Sequence, residues 1–399
     1  MIWKFGIWAG IGLGLIACTP VADDERPEPV ARTVLAYVGS DNDLQAESYA
    51  RVDSIAAGWK GGDGHLLIYH DTDAGASLYE AGYDAAHGRA SLRRVAAYGA
   101  ENSASGAVFA RVLADMVRRW PARSYGLVVF SHGSGWLPGG WTPDREAGVS
   151  AGFAAAECDA GRTPAVRSVV RDGDRRMELA EFATAIPDGL CDFIVFESCL
   201  MAGVEVAYAL RDKTDYVVAS PAEVVAPGFI PVYPRLVECL FEPEPALAVL
   251  ARTYYEQVCG YVPDLRAATV SVIRTDRLEA LAQVCRAIVA GAGGTPEGEL
   301  PDAALVGDVQ HFDRYDGYRL FFDLEDYMER MAPPAQAARL REALDGAVVC
   351  RYATPDFLPY QNGFAIGRCC GLTTYIMQEG FPGLNEAYRA TEWARAVYP

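Results

Sequence analysis

From residue 33 onward the chain alternates short apolar runs with longer stretches in which apolar side chains recur every third or fourth position. TVLAYVG (33–39), HLLIYH (65–70), YGLVVFS (125–131), DFIVFES (192–198) and YVVAS (216–220) are apolar runs of strand length. Between them LQAESYARVDSIAAG, SASGAVFARVLADMVRRW and LMAGVEVAYALRD carry helical spacing; the second opens on a Ser cap and closes before Pro121. Strands apolar on both faces and separated by helices predict βαβ units, hence a mostly parallel sheet covered on both sides. The second half is less regular. ATVSVIR (268–274), AVVCRYA and LTTYIMQ read as strands, whereas DRLEALAQVCRAIVAG, DLEDYMERM and PAQAARLREALDGA read as helices. Gly and Pro concentrate in 291–302, the best internal break.

Composition narrows the class. Half the residues are hydrophobic (51%) and no low-complexity tract occurs, which excludes a disordered chain. A net charge of −18 argues against nucleic acid or an anionic lipid surface as an electrostatic partner and fits a substrate carrying positive charge. The opening MIWKFGIWAGIGLGLIAC is too short an apolar run to span a bilayer as a stable helix. It ends Leu15-Ile16-Ala17-Cys18, which resembles the lipobox of bacterial lipoproteins, a class cut before the Cys and lipidated there. An ordinary signal peptide and a buried helix are the other readings. The acidic, Pro-bearing VADDERPEPV that follows reads as a tether.

With Cys18 and Cys199 set aside, eight of the 10 cysteines remain, and their spacing shows no disulfide framework. Several sit in apolar helical patterns, Cys285 for example, so mostly free thiols are expected. No Walker loop, GxGxxG, CysxxCys or HisGluxxHis sequence occurs, which leaves a structural zinc or zincin site without support. A serine hydrolase lacks its GlyxSerxGly elbow.

Reactive side chains stand at two strand ends. His132 follows YGLVVFS within SHGSGW, and Cys199 follows DFIVFE within ESCLM. Ligands of open parallel sheets bind beyond the carboxyl ends of strands. If the two strands are neighbours, thiol and imidazole emerge on one edge. Cys199 is expected at a helix start, where unpaired N–H groups favour a thiolate, and His132 can protonate a departing amine. Gly133 permits a tight turn, so its N–H and that of Cys199 are candidate oxyanion donors. Each residue alone fits a structural role equally well.

The pair together is more specific. TVLAYVGSDNDL, AYGAENSAS, YGLVVFSHGSGW, FIVFESCLMAGVEVAYALRD and YVVASPAEV resemble, in order, successive motifs of the clostripain family of cysteine peptidases; DLEDYM, GLTTYIMQ and NEAYRATEWARAVY are similar to its C-terminal part. The resemblance covers roughly residues 33–399. It implies a caspase-like α/β/α sandwich, shared with legumain and gingipains, with His132 and Cys199 catalytic. Cleavage after Arg or Lys is implied as well, through acidic residues in the pocket. Where the family has Asp two residues before the Cys, this chain has Glu197, and Glu223 in SPAEV is a second candidate. Either carboxylate equally fits a core role bonded to backbone N–H groups. Ser134 stands where the family has Gly.

The resemblance also implies self-cleavage after a basic residue in 137–178, which carries Arg145, Arg162, Arg167, Arg171, Arg175 and Arg176; a solvated insert is the other reading. Some members depend on calcium, for which Asp41 and Asp43 are candidates without EF-hand spacing; as plain helix caps they need no ion. His70, His65, His87 and His311 read as structural or surface groups. The expected organisation is a signal peptide (1–18), a tether (19–32), a caspase-like catalytic domain (33–290) and a C-terminal part (291–399) packed on or extending it. The implied protein is a lipid-anchored endopeptidase on the periplasmic or outer side of a Gram-negative bacterium, needing no cofactor. Its rivals are a peptide-binding lipoprotein on the same fold and a dyad enzyme of different specificity.

Overall fold

The computed structural model describes residues 28–139, 141, 169–293, 306–315 and 317–398. Cys18, Cys158, Arg145, Arg162 and Arg167 lie outside them. The first half runs β1 (Val30–Gly39), α1 (Gln45–Gly58), β2 (Gly64–Asp71), β3 (Ala76–Asp84), β4 (Arg89–Gly99), α2 (Gly106–Arg119) and β5 (Ala122–Phe130). A hairpin of β6 (Val170–Asp172) and β7 (Arg175–Met177) precedes α3 (Leu179–Ala185), β8 (Cys191–Glu197), α4 (Val204–Ala209) and β9 (Thr214–Ala219). Then come α5 (Tyr233–Phe241), α6 (Leu247–Cys259), β10 (Thr269–Arg274) and α7 (Leu278–Gly291). The last part holds β11 (Phe322–Asp323), α8 (Leu324–Met331), α9 (Pro334–Ala347), β12 (Val348–Ala353), β13 (Asp356–Phe357), β14 (Phe364–Ala365), β15 (Thr373–Thr374), α10 (Pro382–Arg389) and α11 (Glu392–Val397).

Nine strands form one sheet in the order β12-β10-β9-β8-β5-β1-β2-β3-β4. Its centre, β2-β1-β5-β8-β9, is parallel, and antiparallel strands close both flanks. Alternation along β1 explains the layers: Val34, Ala36 and Val38 face one side, Leu35 and Tyr37 the other. The first side is covered by α1, α5 and α6 through Ile55, Leu236 and Tyr254. The second is covered by α2, α3, α4 and α7 to α11 through residues such as Phe109, Phe182, Leu281, Leu340 and Trp393. This is the α/β/α sandwich that the resemblance implied. Each such side chain contributes roughly 1.5–3 kcal/mol on burial, so the central strands are the fixed frame of the molecule.

The C-terminal part shares that frame. β12 pairs with β10 at the sheet's edge, and Gly203 bridges to Thr373. Two local expectations fail. The helix after Cys199 begins at Val204 rather than Leu200, because the chain turns at 199–200, with Leu200 left-handed (φ 62), and then lies along 220–222: Leu200 N–H donates to Ala222 O (2.9 Å) and Ala202 N–H to Ser220 O (3.0 Å). Ser105 makes no cap bond for α2; the Glu181 carboxylate accepts from Gly106 N–H instead (2.7 Å). The eight cysteines among the described residues are free thiols. None of the described helices is long and apolar enough to cross a membrane.

Two buried carboxyls tie the C-terminal part in place. Glu205 accepts from Thr374 Oγ1 (2.8 Å) and Tyr375 N–H (3.1 Å), and Asp313 from Leu320 N–H (3.1 Å) and Phe321 N–H (3.3 Å). Burial pushes both up to about 7. The folded state therefore binds these protons more tightly than the unfolded chain, whose carboxyls titrate near their ordinary values of 4.5 and 3.8. Their contribution is full at the acid end and is lost as pH rises through about 7. The thermal midpoint is expected to fall between pH 5 and pH 8, and Glu205→Gln to flatten that slope; equal slopes in the two proteins would contradict it.

Candidate active site

β5 and β8 are parallel neighbours in the register Phe130↔Glu197, so Ser131-His132 and Ser198-Cys199 leave the sheet side by side. The condition set by the sequence is met. Gly133 lies against the Ser198-Cys199 peptide. A Cβ placed on it would fall 2.6 Å from Cys199 O, 2.9 Å from Ser198 Cβ and 3.2 Å from Cys199 N, so the close approach requires glycine.

His132 is buried. Its Nε2 meets Asp43 Oδ1 at 2.8 Å, and Asp43 also accepts from Arg171 Nη1 (3.2 Å). Asp43 is therefore not a helix cap: α1 starts at Gln45 without a side-chain cap, and Asn42 Oδ1 takes Leu44 N–H instead. The topology explains the meeting, since β1 pairs with β5 and the two chain segments emerge together. Sequence reading missed this partner. The available signal was Asp43 just past one apolar strand and His132 just past another.

Cys199 is partly exposed and accepts from Val224 N–H at Sγ (3.4 Å). With α4 starting five residues later, its surroundings are the backbone of 222–224 rather than a helix terminus. Cys199 and His132 open on a cavity of about 300 Å³. Phe130 and α1 form one wall, residues 223–228 another, and Arg314, Tyr315, Leu358 and Gln361 of the C-terminal part a third.

Glu197 and Glu223 both line this cavity, and each is already paired with an arginine. Arg51 donates to Glu197 through Nε (2.7 Å) and Nη2 (3.0 Å), with Phe229 N–H (2.6 Å) and Tyr233 Oη (2.5 Å) completing the shell. Both ionic partners are 2% exposed. Burial works against the charge on Arg51, but Glu197 outweighs it and raises the guanidinium's pKa. Glu223 receives Nε (2.9 Å) and Nη2 (2.5 Å) of Arg314. Ser134 is buried, with its Oγ unpaired.

The remaining histidines are satisfied elsewhere. His70 meets Ser48 Oγ (2.8 Å), and burial lowers its pKa to about 4. His311 meets Asp313 O (3.0 Å), His65 Glu80 and His87 Asp84. Among the described residues no group of three or more His, Cys, Asp or Glu is placed to hold a metal ion.

A model of the clostripain family matches residues 37–293. Among solved structures, an inactive zymogen C11 protease from Parabacteroides distasonis superposes with a TM-score of 0.77 at 29% identity, covering 94% of this chain and 99% of that one. A secreted C11 cysteine protease of Bacteroides thetaiotaomicron in complex with an irreversible peptide inhibitor gives 0.73 at 25% identity, covering 92% and 98%. The "iotapain" structure from that organism gives 0.76 at 22% identity, covering 93% and 100%, a likeness of fold. No curated protein matches the chain.

Proposed function

The chain belongs to the clostripain family of cysteine peptidases, and from that premise we propose that it is an endopeptidase whose dyad is Cys199 and His132. The observation that carries this is their emergence from neighbouring parallel strands onto one cavity, with Gly133 packed on the Cys199 peptide. The Cys199 thiolate attacks the peptide carbonyl carbon. The N–H groups of Gly133 and Cys199 hold the oxyanion, His132 protonates the departing amine, and water hydrolyses the thioester. Asp43 accepts from His132 Nε2–H and fixes the ring, so Nδ1 is the nitrogen that exchanges the proton. A peptide acyloxymethyl ketone tests the reading. Mass spectrometry should place the adduct on Cys199; saturable peptide binding with no adduct and no hydrolysis would favour the binding-protein alternative.

Gly133→Ala tests the oxyanion geometry. The added methyl must push the Cys199 peptide away, and a displacement near 1 Å costs about 10²-fold in rate. A matching fall in kcat is expected, with overpacking costing roughly 1–3 kcal/mol of stability. An unchanged kcat would remove Gly133 from the oxyanion site.

Cleavage after Arg or Lys, and self-cleavage within 137–178, came from the family resemblance and need a carboxylate that can receive a cation. Glu197 and Glu223 each already hold an arginine, so the site lends these refinements no support. Arg171 and Arg175 are engaged within the β6–β7 hairpin, with Asp43 and Glu181 respectively. The lipid anchor at Cys18 rests on residues 15–18 alone. Incorporation of a clickable fatty acid that disappears in Cys18→Ala would bear it out, and incorporation that persists would not.

A further inference from the structure

Two arginine–glutamate pairs line the cavity beside Cys199, and they differ in whether they can open. Arg51 and Glu197 are shut in. Both are 2% exposed, the guanidinium lies over the Phe130 ring at 3.5 Å, and the Cβ position of Gly228 falls 2.4 Å from Glu197 Oε1. Arg314 and Glu223 stand at the water's edge instead, with side chains 21% and 22% exposed. The guanidinium's Nε and Nη2 both donate to Oε2 of Glu223, which leaves Oε1 without a described donor. Its Nη1 donates to the backbone oxygen of Gln361, an exposed residue. Ion pairs left in contact with water hold weakly, so this one can part where the buried one cannot. Glu223 is also next to the reacting centre, because the N–H that meets Cys199 Sγ (3.4 Å) belongs to the residue after it, Val224. A carboxylate beside the nucleophile thus carries a guanidinium that the chain itself supplies.

We propose that Arg314 is an internal stand-in for the side chain of a basic substrate: it occupies Glu223 at rest and yields that carboxylate when an Arg or Lys side chain enters. The proposal rests on the endopeptidase reading and assigns Glu223, rather than Glu197, as the carboxylate that receives the cation. The exchange conserves charge. At rest Glu47, Glu197 and Glu223 face Arg51 and Arg314 across the cavity; with Arg314 withdrawn, three carboxylates face one arginine. An incoming ammonium or guanidinium restores the balance, which a neutral or acidic side chain does not. The same competition governs affinity. A substrate that binds only molecules whose Arg314 has moved aside has its apparent affinity reduced by the fraction that are open.

The test is the kinetics of coumarin peptides that share one upstream sequence and end in Arg, Lys, Gln or Asp. They are run on the full chain, and again after limited trypsin cleavage quenched with a protein inhibitor of trypsin. The unmodified chain should favour Arg or Lys. Arg314→Ala should lower KM for those two peptides by about threefold to fivefold, with kcat held within about twofold and KM for the Gln peptide unmoved. Arg314→Met, which keeps the apolar stem, takes its place should the alanine variant not fold. Glu223→Gln should raise KM for the basic peptides by about tenfold, and in that background the gain from removing Arg314 should shrink below about twofold. A gain that persists there, or that extends to the Gln peptide, makes Arg314 a steric wall and overturns the proposal. So does an unchanged KM in Arg314→Ala, or a preference for Gln or Asp in the unmodified chain; each of these leaves the peptidase standing. With no peptide hydrolysed, the same ratios are read from the rates at which Lys and Gln ketones label Cys199. No labelling overturns the peptidase and the stand-in with it.

Discussion

Replacing Cys199 by Ala is expected to lower hydrolysis of any peptide the chain cleaves by about 10⁴-fold or more, since the nucleophile carries the covalent step. The side chain is partly exposed on the cavity, and its Sγ accepts a long bond from Val224 N–H (3.4 Å). Little stability is therefore lost, and an unchanged thermal midpoint separates a chemical defect from an unfolded protein. His132→Ala should cost a similar factor, and the double variant scarcely more than either alone, because two groups that act in one step are not additive. Asp43→Asn is the milder case. Asp43 is 59% exposed and acts through the imidazole, so kcat should fall less and the pH profile should shift. Residual turnover in Cys199→Ala within tenfold of the unmodified chain would move the nucleophile elsewhere.

The candidate pair Cys199 and His132 was legible because its signals are local: an apolar run, then a reactive side chain at the strand's carboxyl end. Strand order was not local, yet the parallel centre followed from runs apolar on both faces, and β1, β2, β5, β8 and β9 all have them. The β3–β4 hairpin escaped for the opposite reason. It sits at the edge, β4 is largely exposed, and Arg93 and Arg94 break any apolar run. Helices α5 and α6 escaped as well, although Tyr233, Leu236, Val237 and Leu240 of α5 recur at helical spacing and face the sheet. The helix expected immediately after Cys199 was misplaced because backbone pairing with 220–222 overrides the propensity of LMAG.

The carboxylates show a different limit. Glu197 and Glu223 line the cavity that Cys199 opens on, but a carboxylate's role depends on what faces it. Arg51 and Arg314 lie 146 and 91 residues away in the chain. Arg51 reads in sequence as one more polar position on an amphipathic helix, and nothing local marks it as fully buried. Pairing two distant charges is what the fold adds.

That pairing makes Glu197→Ala the variant with the largest expected loss of stability. The change leaves Arg51, 2% exposed, with the donors it had aimed at Glu197 unmatched, and strips the acceptor from Tyr233 Oη and Phe229 N–H. Glu47, at 3.7 Å and 30% exposed, is too distant to replace it. Removing one partner of a buried ion pair costs about 3–5 kcal/mol, mostly the price of a stranded charge. Glu197→Gln should fall between, keeping an acceptor oxygen but not the charge. Replacing both members, Arg51→Met with Glu197→Gln, should recover part of the loss, since no charge is then left buried alone. Urea unfolding of the unmodified chain, Glu197→Gln, Arg51→Met and the double variant forms a double-mutant cycle. A coupling well above 1 kcal/mol is expected for groups in direct contact. If Glu197→Ala unfolded within about 1 kcal/mol of the unmodified chain, the ion pair would not be the ground state, and Glu197 would again be open to a substrate cation.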